Sequence, residues 1–120
     1  MGETSEGTAD AADDAANTSS ASMTVFFITR HPAALDWAEE EGIHFDRLLP
    51  HLQLEEIAAD DLVIGSLPVN LAYEVCRRGA RYQHLTLDLT PQLRGRELSA
   101  EQMRHCRARL EEFIVARVEA

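Results

Sequence analysis

Two segments of this 120-residue chain place hydrogen-bonding side chains between an apolar run and a helix-forming one. They are Thr29-Arg30-His31-Pro32 and Gly65-Ser66-Leu67-Pro68-Val69-Asn70. A guanidinium offers paired donors to a phosphate, an imidazole can exchange a proton near neutral pH, and Ser and Asn side chains can bind ribose or oxyanion. A following helix adds unpaired amide N–H groups and the positive end of its dipole. A third segment, Arg94-Gly95-Arg96-Glu97, has the charge and the breaker residue of a loop able to cover a bound anion. Chemistry on a small phosphate-bearing ligand is the reading these three segments share. Each also has a plainer one: Arg30 and His31 as helix caps or partners of Asp36 and Glu39, Ser66 and Asn70 as only a turn and an N-cap, and Arg94 and Arg96 as solvated or paired with Glu. Neither the P-loop nor the dinucleotide glycine pattern occurs.

The elements that must position these residues can be read from periodicity. Val25 to Ile28 is a short apolar run suited to a buried strand. Pro32 is tolerated in a first helical turn, and Ala33 to Glu41 continue as helix formers up to Gly42. Ile43 to Leu52 is a weaker strand ended by Pro50, and QLEEIAADD has room for one helical turn. Asp61 to Gly65 reads as a parallel-sheet strand, LAYEVCRRG as an amphipathic helix closed by Gly79, and ARYQHLTLDL as a strand with a well buried face. Ser99 and Gln102 form a capping-box pattern. Beyond them Met103, Cys106, Leu110, Phe113, Ile114 and Val118 have the spacing of one long final helix. The alternation predicts an α/β fold: a mostly parallel sheet of about four strands with three main helices and right-handed crossovers. With the first strand central, the turns after the first and third strands lie side by side at one sheet edge.

Composition narrows the partners. Residues 1–22 hold five acids, no base and no large apolar residue, and are expected to be a disordered acidic leader ahead of a single domain over residues 23–120. Met23 is an alternative start. The leader lacks the features of a signal peptide, and no apolar run reaches membrane-spanning length, so a soluble, cytoplasmic protein is expected. From residue 23 onward sixteen acids oppose eleven arginines, with no lysine. That balance argues against a duplex nucleic acid partner, while a few converging arginines still suffice for a small anion. The five histidines, Asp88 and the distant Cys76 and Cys106 show no metal-ligand spacing, so neither metal nor cofactor is expected and the cysteines read as reduced thiols. Trp37 reads as core.

FFITRHPAALDWAEEEGI, DLVIGSLPVNLAYEVCRRGARYQHLTLDL and RGRELSAEQM, in that order, resemble the small CRISPR-associated family of type III systems called Csx sixteen, over residues 24 to 117. The resemblance implies a small three-layer Rossmann-like fold akin to the CRISPR-associated sensor (CARF) domains. It implies a ring nuclease, an enzyme that linearises cyclic oligoadenylate and so switches off antiviral signalling, with cyclic tetra-adenylate the expected ring. The acidic leader is something the family does not need. The motifs TRHP, SLPVN and RGRE are where the resemblance would put the site. Within those motifs side-chain chemistry, not the resemblance, makes Arg30, His31, Ser66 and Asn70 the candidate catalytic residues and Thr29, Gly65, Leu67, Pro68, Arg94 and Arg96 the candidate ligand-binding ones.

A metal-free route fits that chemistry: the ribose 2′-hydroxyl attacks its own 3′-phosphate, leaving a 2′,3′-cyclic phosphate and a 5′-hydroxyl. The protein then supplies in-line geometry and neutralises the phosphorane. Arg30 is the expected clamp. Ser66 and Asn70 are expected to serve as oxyanion donors or ribose positioners, and His31 as general acid, general base or positioner. A ring of four adenylates has two-fold symmetry and exceeds what so small a chain encloses, so a homodimer with the ring across its interface is expected, with Arg94 to Glu97 and the final helix as cover or contact. Two other functions remain open from the residues: a module that sequesters the ring uncut, and an interaction protein whose turns are structural caps.

Overall fold

The first apolar run, Val25–Ile28, forms β1, and Pro32 then opens α1 (Pro32–Glu40). β2 (Arg47–Leu49), β3 (Leu62–Gly65), α2 (Val69–Arg77), β4 (Arg81–Thr86), α3 (Ala100–His105) and β5 (Arg109–Phe113) follow, with 3-10 turns at Leu54–Glu56 and Pro91–Leu93. These elements come from a computed structural model that describes residues 23–119. The expected leader, residues 1–22, lies outside the described residues.

The five strands lie in the order β2-β1-β3-β4-β5, the first four parallel and β5 antiparallel to β4. Side-chain alternation divides the core into two layers. Val25 and Phe27 of β1, with Leu62 and Ile64 of β3, pack on Ala34, Trp37 and Ala38 of α1 and Met103 of α3. Phe26 and Ile28, with Val63, pack on Ala72 and Val75 of α2 and on Tyr82. The result is the mostly parallel α/β sheet expected from the alternation, in the three-layer, Rossmann-like arrangement that the resemblance implied. Trp37 is buried in the first layer, and Cys76 and Cys106 are free thiols, Cys106 buried and Cys76 half-buried.

The long final helix is a correction. α3 ends at His105 with Cys106 as its C-cap, and Arg107 takes a left-handed conformation, φ 59°. The chain then returns along β4 with Tyr82 opposite Phe113 and Thr86 opposite Arg109. The apolar stripe had helical spacing because Met103 lies in the helix and Cys106 caps it, while Leu110 joins the core layer of Met103 from a strand. What overrides it is the free edge of β4, whose backbone groups β5 satisfies. Cross-strand pairing adds a two-pronged Arg81–Glu112 ion pair at 2.8 and 2.9 Å and a 2.8 Å bond from Thr86 Oγ1 to Glu111. The sheet therefore has five strands rather than about four.

Candidate functional site

The chain leaves β1 toward β2 on one side and crosses to β3 on the other. A crevice therefore opens where the two directions diverge, at the carboxyl ends of β1 and β3, the place where open α/β sheets bind ligands. Here it is a cleft of about 580 Å³. Its walls are mostly apolar, with Phe27, Leu67, Leu71, Leu85, Leu87 and Met103 among them. The polar side chains at the cleft are Thr29, Arg30, His31, His51, Ser66, Arg96 and Glu97.

The floor depends on Gly65, which faces Ile28 in the β1–β3 register. A Cβ there would meet the Ile28 carbonyl oxygen at 2.9 Å, so only glycine allows the strand ends this close. The turn that follows is tied to β4 from three directions. Ser66 Oγ donates to the Leu85 carbonyl at 3.0 Å, Leu67 N–H donates to the Tyr82 hydroxyl at 2.9 Å, and that hydroxyl donates to the Gly65 carbonyl at 3.1 Å. The same hydroxyl lies 2.6 Å from His84 Nδ1, a bond whose direction follows the imidazole tautomer. Burial of Tyr82 raises its pKa above 10.0, partly opposed by the Leu67 N–H.

At the end of β1, Thr29 N–H donates to the Leu49 carbonyl, and Thr29 Oγ1 accepts from His31 N–H at 3.1 Å. That small side-chain turn presents Arg30 to solvent. Among the described residues Arg30 takes part in no ion pair or side-chain hydrogen bond, so the expected pairing with Asp36 or Glu39 is not made. His31 occupies the N-cap of α1 without capping it through its side chain. Its Nδ1 instead meets Glu97 Oε2 at 2.7 Å.

The cleft brings together Thr29, Arg30, His31, Gly65, Ser66, Leu67, Pro68 and Arg96. It leaves out two residues of the expected set. Asn70 lines a separate shallow groove with Val69, Tyr73 and Val115, because α2 is entered through Pro68 at its N-cap and its second residue turns away. Arg94 is exposed on the turn beside the left-handed Gly95 and does not line the cleft. Two cleft residues went unremarked from sequence as chemical groups. His51 follows Pro50 just past β2, the third strand end on this edge, and Glu97 closes the RGRE segment already marked as cover. Among the described residues no three His, Cys, Asp or Glu side chains gather closely enough to hold a metal ion. No helix among the described residues is long and apolar enough to cross a membrane.

No curated protein and no solved structure matches the chain. The family described as "Putative CRISPR-associated protein (Cas_VVA1548)" matches residues 26–116, from β1 through β5, including both strand-end turns and the Arg94–Leu98 segment. The chain belongs to this family of CRISPR-associated proteins.

Proposed function

We propose that this CRISPR-associated protein is a ring nuclease of the Csx sixteen kind, which binds cyclic oligoadenylate and cleaves it through attack of a ribose 2′-hydroxyl on the adjacent phosphate. The observation that carries the reading is the convergence of two neighbouring parallel strand ends, each leading into a helix, on one cleft with Arg30 and His31 at its rim. Apolar walls suit adenine faces, while cationic and hydrogen-bonding groups at the mouth suit the sugar-phosphate ring. In this scheme Arg30, free of an anionic partner among the described residues, is the phosphate clamp. The Ala33 amide, in the first turn of α1, adds a donor beside it. Ser66 directs its proton at Leu85, which leaves its oxygen as an acceptor for a ribose hydroxyl. Arg96 approaches the ligand from the opposite lip. The ring lies across a homodimer interface, so each loop meets it twice.

The test is incubation of purified protein with cyclic tetra-adenylate in excess chelator, followed by mass analysis. Linear products ending in 2′,3′-cyclic phosphate and 5′-hydroxyl are expected. An intact ring that raises the melting temperature would instead make the protein a sequestering module, and an intact ring with no thermal shift would make it an interaction protein.

A further inference from the structure

We propose that Glu97 is a positioning residue: it fixes the His31 imidazole with Nδ1 protonated toward the carboxylate, leaving Nε2 to take the ribose 2′-hydroxyl proton. The inference rests on the ring-cleavage reading. It starts from the 2.7 Å contact between His31 Nδ1 and Glu97 Oε2, two residues that both line the cleft. An ionised carboxylate can only accept, so the hydrogen of this bond is on Nδ1. In the neutral ring Nε2 is then the basic nitrogen, the reverse of the tautomer that a free histidine side chain favours.

The surroundings fit a built pair rather than a chance surface contact. His31 stands at the N-cap of α1, where a side chain ordinarily turns back to cap the helix, yet it turns across the cleft mouth instead. Glu97 sits between two pinned points. The left-handed Gly95 makes the turn before it, and after it Leu98 packs on the core while Ser99 and Gln102 form a complete capping box. Both side chains are more than half exposed, so the pair adds little to stability, and holding the fold together is not what it is suited for. The other charged or titratable groups lining the cleft are Arg30, Arg96 and His51, so among the described residues Glu97 is its one carboxylate lining residue.

The step balances without a further reactant. As O2′ bonds to phosphorus its proton passes to His31 Nε2, the P–O5′ bond breaks, the leaving 5′-oxygen takes a proton from water at the open mouth, and His31 returns its own to solvent.

Two readouts test this on the full chain. The ¹⁵N spectrum of the neutral His31 ring in histidine-labelled protein should show the Nδ1–H tautomer in the wild type and a shift toward Nε2–H in Glu97→Ala. Single-turnover cleavage of cyclic tetra-adenylate should fall roughly ten- to a hundred-fold in Glu97→Ala, the range seen when a carboxylate behind a metal-bound histidine is removed. Ring affinity and melting temperature should stay near wild type, and Glu97→Gln, which can still accept the bond, should recover part of the rate. A wild-type Nε2–H spectrum, or undiminished cleavage by Glu97→Ala, overturns the proposal while leaving ring cleavage standing. A wild-type protein that leaves the ring intact overturns the cleavage reading and the proton-transfer role with it, and the spectrum then still reports whether Glu97 sets the tautomer.

Discussion

Ser66 and Asn70 belong to one sequence motif, yet the structure separates their prospects. Ser66 Oγ is bonded to the Leu85 carbonyl beneath the cleft, whereas Asn70 faces a different groove. Ser66→Ala is therefore expected to lower stability by about 1 kcal/mol, the net worth of such a bond, and to slow ring cleavage as the turn loosens. Asn70→Ala should cleave close to the wild-type rate; parallel melting curves and single-turnover assays check both. Tyr82 offers a test by pH. Its folded pKa lies above the unfolded value of 10.0 because burial disfavours the phenolate. Its contribution to stability is thus fully present below pH 10 and is lost as pH rises through the folded pKa. Denaturant titrations should show wild-type stability falling more steeply above pH 10 than that of Tyr82→Phe, which has no proton to lose; equal slopes would mean that Tyr82 is not shielded from solvent. That Tyr82 supports the Gly65–Leu67 turn was not legible in the sequence, since its partners lie 15 and 17 residues away, at the end of β3 and in the turn after it.

Among the elements, β1 and α1 were legible because their signals agree: an apolar run, then proline, then helix formers up to a glycine. β2 was legible as weak, and it proves to be a three-residue edge strand stopped before Pro50. β5 was not legible, because its apolar residues continue the helical spacing of α3 and only the neighbouring edge of β4 decides the outcome. A local pattern cannot report a partner strand. Breaking the cross-strand pair with Glu112→Arg, which sets like charges side by side at Arg81, is expected to lower the melting temperature, and Arg81→Glu in the same chain should restore part of the loss. Absence of that rescue would mean that the ion pair does not help to hold β5 in place. Gly65→Ala tests the other junction of elements. Its Cβ has no room beside the Ile28 carbonyl, so β1 and β3 must part at the cleft floor. A loss of about 1 to 3 kcal/mol is expected, the usual range for overpacking, measurable by denaturant titration.

For the molecule as a whole, strand order is what turns three separate motifs into one cleft. Placing β1 beside β3 made the adjacency of TRHP and SLPVN predictable from the alternation of elements, while the apolar walls and the approach of Arg96 and Glu97 depend on how the Pro91–Ser99 segment packs, which periodicity does not encode. If the ring spans two protomers, cleavage per chain should fall on dilution below the dimer dissociation constant, and light scattering over the same range should show monomer appearing; undiminished activity from a monomer would contradict it. The proposed activity is cleavage of the ring at this cleft, with Arg30 as its clamp. Its most direct test is single-turnover cleavage of cyclic tetra-adenylate in excess chelator by wild type and Arg30→Ala, with melting temperatures measured on the same samples. A loss of roughly a hundred- to a thousand-fold in rate, about 3 to 4 kcal/mol of transition-state stabilisation, is expected at an almost unchanged melting temperature. Cleavage by Arg30→Ala at the wild-type rate, or a wild-type rate abolished by chelator, would contradict it.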